Sequence, residues 1–164
     1  TGRADVSLAG AVRHLVGDAT GEQAAGDPAL KDLLRLCDPG YERQRIEQFL
    51  IESLVLVPEG ARLIAEADPG IGEVLERSQE LADRGLCNQV PQTRLMVSLA
   101  REAGAIGASS FGAGWGGSVY ALVPADDAED FAPQWLQTYR DRAPEAERAA
   151  TIVTRPGPGA CRLP

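Results

Sequence analysis

The sequence predicts an α+β fold, in which a mainly helical segment precedes a small antiparallel sheet packed with helices. Three observations predict this class. Apolar residues recur at helical spacing through most of residues 5–103. Two short apolar runs, the second of them β-branched and aromatic, then flank a glycine-rich loop. A further amphipathic pattern and a last β-branched run complete the order strand–loop–strand–helix–strand, which after a run of helices is typical of α+β domains.

The first two predicted helices are short. Residues 5–16 carry apolar side chains at roughly helical spacing. Residues 17–28 are rich in glycine, alanine and aspartate, which indicates a loop. A second helix begins at Asp27 or Pro28 and ends at Leu36, before an Asp-Pro-Gly break.

Three more helices are predicted in the middle of the chain. Residues 41–56 form a long amphipathic pattern, and its polar face includes Arg43 and Arg45. These arginines are compatible with a solvated helix face or with a phosphate site. Helices at 58–67 and 70–84 follow, and a second Asp-Pro-Gly sequence separates them.

A helix over residues 92–103 leads into the sheet. Residues 85–89 are predicted as a turn, and Pro91 is well suited to a first helical position because it has no N–H to leave unpaired. Gly104 then suits the end of the helix, where a left-handed residue is common.

The last part of the chain contains the predicted sheet. Strands are expected at 106–111 and 118–123, with a helix at 126–139 and a final strand at 152–154. Acidic residues crowd the first turn of that helix, where they complement the helix dipole, so no catalytic or metal role is assigned to them. Residues 155–159 are rich in proline and glycine and indicate turns.

The loop between the two strands is the main functional candidate. Four of the six residues from Gly112 to Gly117 are glycine, and they match the pattern G-x-G-x-x-G. A strand follows this loop rather than a helix, which argues against a dinucleotide fold, and the only lysine, Lys31, is too far away for a Walker A loop. The glycines therefore indicate either a loop that approaches a ligand or a hairpin that only permits tight packing.

Composition excludes several other classes. A length of 164 residues fits one domain, and a net charge of −8 argues against non-specific binding to nucleic acid or to a membrane surface. The three cysteines are odd in number and widely spaced, which favours a reducing cytoplasm. A single histidine, His14, argues against a zinc site or a histidine-based triad. No apolar run approaches the ~20 residues of a membrane helix.

The stretch from Gly107 to Ser118 resembles the third motif of the GHMP kinases, whose galactokinase form reads approximately G-A-[KR]-M-T-G-[AG]-G-F-G-G-C. The preceding residues 100–108 and the ending at 154–160 are also similar to galactokinase. Ser78 and Pro91 match a serine and a proline of that family in relative spacing. The resemblance covers roughly residues 41–160.

Several residues depart from the family pattern. Ser109 stands where the motif has a basic residue, Phe111 where it has threonine, and Ser118 where it has cysteine. The family segment E-S-H appears as Arg77-Ser78-Gln79, and P-E-L-D appears as Pro91-Gln92-Thr93-Arg94. These departures leave the identity of the sugar open, whereas the glycines of the motif are intact.

The resemblance implies a ferredoxin-like C-terminal domain that forms one unit over residues 1–164. A helical segment would occupy about 1–104, and the glycine-loop hairpin and sheet about 105–160. The family's nucleotide loop, P-x-x-x-G-L-G-S-S-[AS], does not occur in this sequence. We therefore expect the nucleotide-binding domain to lie outside the chain, as the N-terminal part of a longer parent, and the chain alone to be inactive.

For the full-length parent, the resemblance implies ATP- and Mg²⁺-dependent transfer of a phosphoryl group to a monosaccharide such as galactose, at the C1 hydroxyl. The implied phosphate- and substrate-proximal loop consists of Gly112, Ala113, Gly114, Trp115, Gly116, Gly117 and Ser118. No catalytic or metal-binding residue is assigned within this chain. Two alternatives stay open, namely a non-catalytic binding or regulatory domain of the same fold, and a GHMP kinase for another small molecule.

The two aromatic residues of the motif lead to an expectation about partners. Trp115 and Phe111 have little core to enter from a glycine-rich loop. We expect them to lie in or beside an exposed apolar patch that the missing domain covers, and through which the isolated domain self-associates.

Overall fold

A computed structural model describes residues 7–157 of the chain. Its α-helices are α1 (Leu8–Val16), α2 (Glu22–Ala25), α3 (Pro28–Arg35), α4 (Tyr41–Ile51), α5 (Val57–Ala65), α6 (Ile71–Leu81), α7 (Pro91–Glu102) and α8 (Ala128–Arg142). The strands β1 (Gly107–Phe111) and β2 (Ser118–Leu122) form an antiparallel hairpin, and Pro144–Ala146 form a 3₁₀ turn. The α+β class is confirmed. The first residues of the helix predicted at 5–16 and the end of the motif at 154–160 lie outside the described residues.

Local signals in the sequence account for several helix starts. The Asp27 side chain accepts a hydrogen bond from the Ala29 amide at 2.8 Å, which caps α3, and Pro28 occupies its first position. Pro91 starts α7 in the same way, as predicted. Gly104 follows α7 with a φ of 90°, so a left-handed residue ends that helix.

The hairpin lies between two layers of helices. In its register, Gly107 faces Leu122 and Ser109 faces Tyr120. Successive side chains of a strand point to opposite faces. Residues Gly107 and Ser109 contact α6, whereas Ala108 belongs to a buried cluster with α7 and α8. The glycine loop between the strands therefore projects from a sheet that is held on both faces.

Two hydrophobic clusters form the core. One cluster joins α7, the hairpin and α8 and contains Val97, Leu99, Ala100, Ala108, Trp135, Tyr139, Ala143 and Ala146. The other joins α1, α3 and the helix that begins at α4, and contains Val12, Leu30, Leu50, Leu54, Val55 and Leu56. The Trp135 indole donates a hydrogen bond to the Met96 carbonyl at 2.9 Å, which satisfies its polar group inside the first cluster.

The helices α4 and α5 are joined into one continuous helix by a π turn at Glu52–Leu56, so the predicted separation of 41–56 from 58–67 was wrong. Pro58 has no amide to donate to the Leu54 carbonyl four residues earlier. The Gly21 amide donates to that carbonyl instead, at 2.6 Å. Pro58 is therefore accommodated by a π turn and by a hydrogen bond from another segment.

Two smaller predictions were also wrong. The loop expected at 17–28 contains the one-turn helix α2. A second π turn, Ala82–Leu86, extends α6, so the turn expected at 85–89 begins only at Cys87, which has a left-handed φ of 51°.

The strand predicted at Ile152–Thr154 is not formed. Residues 151–157 have no regular structure, and among the described residues β2 pairs only with β1. The segment lines a groove of about 700 Å³ beside β2 and α8, and the Ile152 side chain is 88 % exposed. The β-branched pattern was misleading because strand formation depends on a partner strand and on burial more than on intrinsic preference.

The backbones of α6 and β1 are in direct contact. A side chain added at Gly72 would place its Cβ 2.0 Å from the Ile106 carbonyl oxygen, and one added at Gly107 would lie 3.0 Å from the Gly72 Cα. Only glycine at both positions permits this approach. The contact fixes how far the hairpin lies from α6.

Replacing Leu30 with alanine is expected to lower the free energy of unfolding by about 3 kcal/mol, because the side chain is fully buried and its removal leaves a cavity. The matched control is Leu36→Ala. Leu36 follows the same helix and is 85 % exposed, so its replacement is expected to change stability by less than ~0.5 kcal/mol. Urea unfolding of both variants checks the difference, and equal losses would contradict the assignment of Leu30 to the core.

Candidate functional site

The glycine loop has an unusual backbone. The φ angles of Gly112, Gly114, Gly116 and Gly117 are 86°, 79°, 106° and 104°, and Trp115 between them has a φ of 62°. L-residues with side chains rarely adopt this region. All four glycines are thus required by conformation.

The loop rests on the connection between α6 and α7. The Trp115 amide donates to the Asn88 carbonyl at 2.6 Å, and the Asn88 side-chain amide donates to the Ala113 carbonyl at 3.2 Å. Between these two bonds, a Cβ at Gly114 would lie 2.5 to 2.6 Å from atoms of Asn88. The tight-packing interpretation of the glycines therefore applies at Gly114.

The opposite side of the loop is open. A Cβ at Gly112 or at Gly117 would meet no atom within 4 Å. The amides of Ala113, Gly114 and Gly116 donate to no acceptor among residues 7–157. Successive unpaired backbone amides in a turn can act as the donors of an anion-binding site. The glycine loop therefore packs against Asn88 at Gly114 and still has backbone amides that are available to a ligand.

Aromatic side chains surround the loop, and we call Phe111, Trp115 and Tyr120 the aromatic patch. Trp115 is 69 % and Phe111 54 % exposed, as predicted for both, and the Phe111 and Tyr120 rings lie 5.9 Å apart. Partial burial raises the pKa of the Tyr120 hydroxyl, a hydrogen bond with Ser109 opposes this rise, and the charge of Glu52 adds to it. Tyr120 is therefore a neutral phenol at physiological pH.

A buried polar cluster lies behind the loop, and we call it the amide cluster; its members are Gln79, Gln89, Thr93 and Ser109. The Gln79 side-chain oxygen accepts hydrogen bonds from the Ser109 hydroxyl at 2.9 Å and from the Ser110 amide at 2.8 Å. The Gln89 oxygen accepts from Gln79 at 3.1 Å and from Thr93 at 3.0 Å. These bonds join α6, α7 and β1.

Sequence reasoning did not find the amide cluster. In the sequence, three of its members stand out only as departures from the family motifs, at Gln79, Thr93 and Ser109. The structure brings these three departures together through Gln89. The sequence did contain a signal for this cluster, because each of the three family motifs carries one of these polar replacements. The contacts among these residues depend on tertiary structure, which the motifs alone do not show.

Other residues considered from the sequence lie elsewhere. Arg43 donates to the carbonyls of Leu34 and Cys37, at 3.1 and 3.2 Å, and so satisfies the end of α3. Arg45 donates a hydrogen bond to the Tyr41 hydroxyl on its own helix, at 2.8 Å. Neither arginine forms a hydrogen bond with the glycine loop. Their contacts fit a structural or solvent-exposed role on α4 and not a phosphate site.

The described residues show neither a metal-binding cluster nor a membrane-spanning helix. Residues 7–157 contain no group of three or more His, Cys, Asp or Glu side chains arranged to hold a metal ion. The same part of the chain includes no helix that is both long and apolar enough to cross a bilayer.

Comparison with known proteins gives one family and a small group of relatives. A family model described as GHMP kinases C terminal matches residues 61–141. A galactokinase of Mycobacterium tuberculosis is 32 % identical over 144 residues, which is 85 % of this chain and 38 % of that protein. A galactokinase of Mycobacterium bovis is 33 % identical over 110 residues, which is 67 % of this chain and 30 % of that protein. The chain thus spans less than two fifths of the length of these relatives.

Proposed function

The chain is a galactokinase-like C-terminal domain of the GHMP kinases, and we propose that its glycine loop binds phosphate oxygens on the substrate side of an ATP-dependent sugar kinase. In this proposal the full-length parent transfers a phosphoryl group from ATP to the C1 hydroxyl of a monosaccharide such as galactose. The chain contributes Gly112–Ser118 to the site, and an upstream domain contributes the nucleotide loop and the acidic catalytic residue.

The observation that carries the proposal is the set of unpaired backbone amides in the glycine loop. The N–H groups of Ala113, Gly114 and Gly116 have no acceptor among the described residues. The glycines carry no side chain that could block a ligand from reaching these groups. Backbone donors suit a phosphoryl group because charge in the transition state spreads over its oxygens, and fixed dipoles stabilise that charge. They also suit an acidic chain, since they attract an anion locally without any net positive charge.

The substrates implied by the family divide between two domains. The loop amides fit the phosphate oxygens of ATP, as donors that orient the transferred group. In this proposal the upstream domain also supplies the protein ligands of Mg²⁺. Magnesium, when bound with ATP, neutralises part of the phosphate charge.

The aromatic patch fits the same arrangement. Phe111 and Trp115 expose large apolar surfaces beside the loop, and Tyr120 adds a neutral phenol. We propose that the upstream domain covers this patch when both domains are present. Without that domain, the patch is a surface through which the chain can self-associate.

A direct test compares the chain with its full-length parent. The parent is expected to consume ATP with galactose as acceptor at rates in the usual kinase range of about 1–100 s⁻¹. The 164-residue chain is expected to show no turnover and at most weak ATP binding by calorimetry in the presence of Mg²⁺. Turnover at kinase rates by the chain alone would contradict the division of the site between two domains.

The same assay separates the two alternatives. A parent that binds a monosaccharide but does not consume ATP would indicate a non-catalytic binding or regulatory protein. A parent that consumes ATP only with an acceptor other than a sugar would indicate another GHMP small-molecule kinase.

A further inference from the structure

Among residues 7–157, Asn88 provides the hydrogen bonds that hold the glycine loop from outside it. Asn88 contacts the loop on both sides of Gly114, through its carbonyl to the Trp115 amide at 2.6 Å and through its side chain to the Ala113 carbonyl at 3.2 Å. These two bonds join segments that are 25 or more residues apart in the sequence. They are therefore tertiary contacts, and the loop's own sequence does not provide them.

Asn88 is itself oriented from behind. The Gln89 side-chain amide donates to the Asn88 side-chain oxygen at 2.9 Å, which directs the Asn88 amide group toward the loop. Gln89 is in turn held by Gln79 and Thr93 of the amide cluster. Gln79 and Gln89 are buried, so rotation of either side-chain amide would leave a polar group without a partner. Gln89 thereby fixes the orientation of the more exposed Asn88 amide.

A glycine-rich loop needs such support. Glycine loses more conformational freedom on ordering than any other residue, and four of the six residues from Gly112 to Gly117 are glycine. A ligand that had to order this loop on binding would lose affinity to the entropy of ordering. A loop that is already held presents its free amides in fixed positions.

We propose that Asn88 is the positioning residue of the glycine loop, and that the Gln79–Gln89 pair of the amide cluster orients it. The use of this positioning for phosphate binding rests on the function proposed above. The positioning itself concerns only contacts within this chain. The two can therefore be tested separately.

The first experiment measures amide hydrogen exchange of Trp115 by NMR in the 164-residue chain. Asn88→Ala removes the side-chain hydrogen bond to the Ala113 carbonyl but keeps the backbone carbonyl that accepts from Trp115. Loss of the side-chain bond is expected to loosen the loop and to speed exchange at Trp115 by about tenfold. Asn88→Asp keeps the size of the side chain but removes the N–H that binds Ala113, and is expected to act in the same direction. The Trp135 amide in α8 provides an internal reference that should not change.

The matched control is Gln92→Ala. Gln92 is an exposed amide residue of α7, four positions from Asn88, and makes no side-chain hydrogen bond within the described residues. Exchange at Trp115 should be as slow in Gln92→Ala as in the unsubstituted chain. Unchanged exchange at Trp115 in both Asn88 variants would overturn the proposal. So would equal acceleration at Trp115 and Trp135, because it would mean a general loss of stability.

The second experiment measures steady-state kinetics of the full-length parent carrying Asn88→Ala. A positioning role predicts a raised KM for ATP together with a lowered kcat, at unchanged thermal stability. Faster exchange at Trp115 with unaltered kinetics would support the positioning of the loop by Asn88 but contradict the loop's part in the proposed function.

Discussion

Replacing Gly114 with valine is expected to lower kcat/KM of the full-length parent by at least about a hundredfold, because misplacement of a catalytic element by about 1 Å is enough for such a loss. Two physical effects act together at this position. The φ of 79° is strained for a branched residue, and the new Cβ would lie 2.5 Å from the Asn88 side chain. The loop would have to leave Asn88, and its amides would lose their positions.

Gly112→Val separates these two effects. Its φ of 86° imposes a similar strain, but a Cβ at Gly112 meets no atom within 4 Å. A smaller loss of activity is therefore expected at this position. Circular dichroism of both variants should show intact helices. Wild-type kinetics in Gly114→Val would remove the loop from the mechanism, and loss of the helical signal would assign the loop a packing role instead.

Replacing Gly72 with alanine is expected to lower the free energy of unfolding by on the order of 3 kcal/mol, at the upper end of the usual cost of overpacking. The new methyl group would lie 2.0 Å from the Ile106 carbonyl oxygen. A backbone atom cannot move aside as the end of a flexible side chain can. Either α6 or β1 must shift, and the contact between them is lost.

Gly60→Ala is the matched control for this substitution. Gly60 is also a helical glycine, in α5, but a Cβ there would be 3.5 Å from the Ile71 side chain, an ordinary van der Waals distance. Alanine is the better helix former, so stability is expected to stay level or rise by up to about 1 kcal/mol. Urea unfolding measures both variants. A stable Gly72→Ala variant would show that α6 and β1 are not in the close contact described.

Elements with strong local signals were predictable. The sequence predicted the start of α3 at Asp27 or Pro28, the start of α7 at Pro91 and the hairpin around the glycine loop. The separation of helices before residue 58 was wrong because the carbonyl that Pro58 leaves unpaired is satisfied by the distant Gly21 amide, which local sequence does not show. The strand predicted at 152–154 failed for a similar reason, since the pairing that a strand needs is not a local property.

The site was predictable in part. The density of glycines indicated a loop with positive φ angles, and all four glycines have them. Whether the glycines serve packing or ligand approach could not be decided from the sequence, and the structure divides them, with Gly114 packed and Gly112 open. Asn88 carried no motif of its own. Its role depends on contacts across the fold, which single-sequence patterns do not encode.

The opposite environments of the two tryptophans give this chain two separate optical signals. Trp115, at the tip of the loop, is 69 % exposed, whereas Trp135 is 7 % exposed in the core. An indole in water emits at longer wavelength than one in an apolar interior, and a soluble quencher such as iodide reaches only the former. The long-wavelength emission thus reports on the loop and on whatever covers it, and the short-wavelength emission reports on folding. Docking and unfolding can be followed in one unlabelled sample.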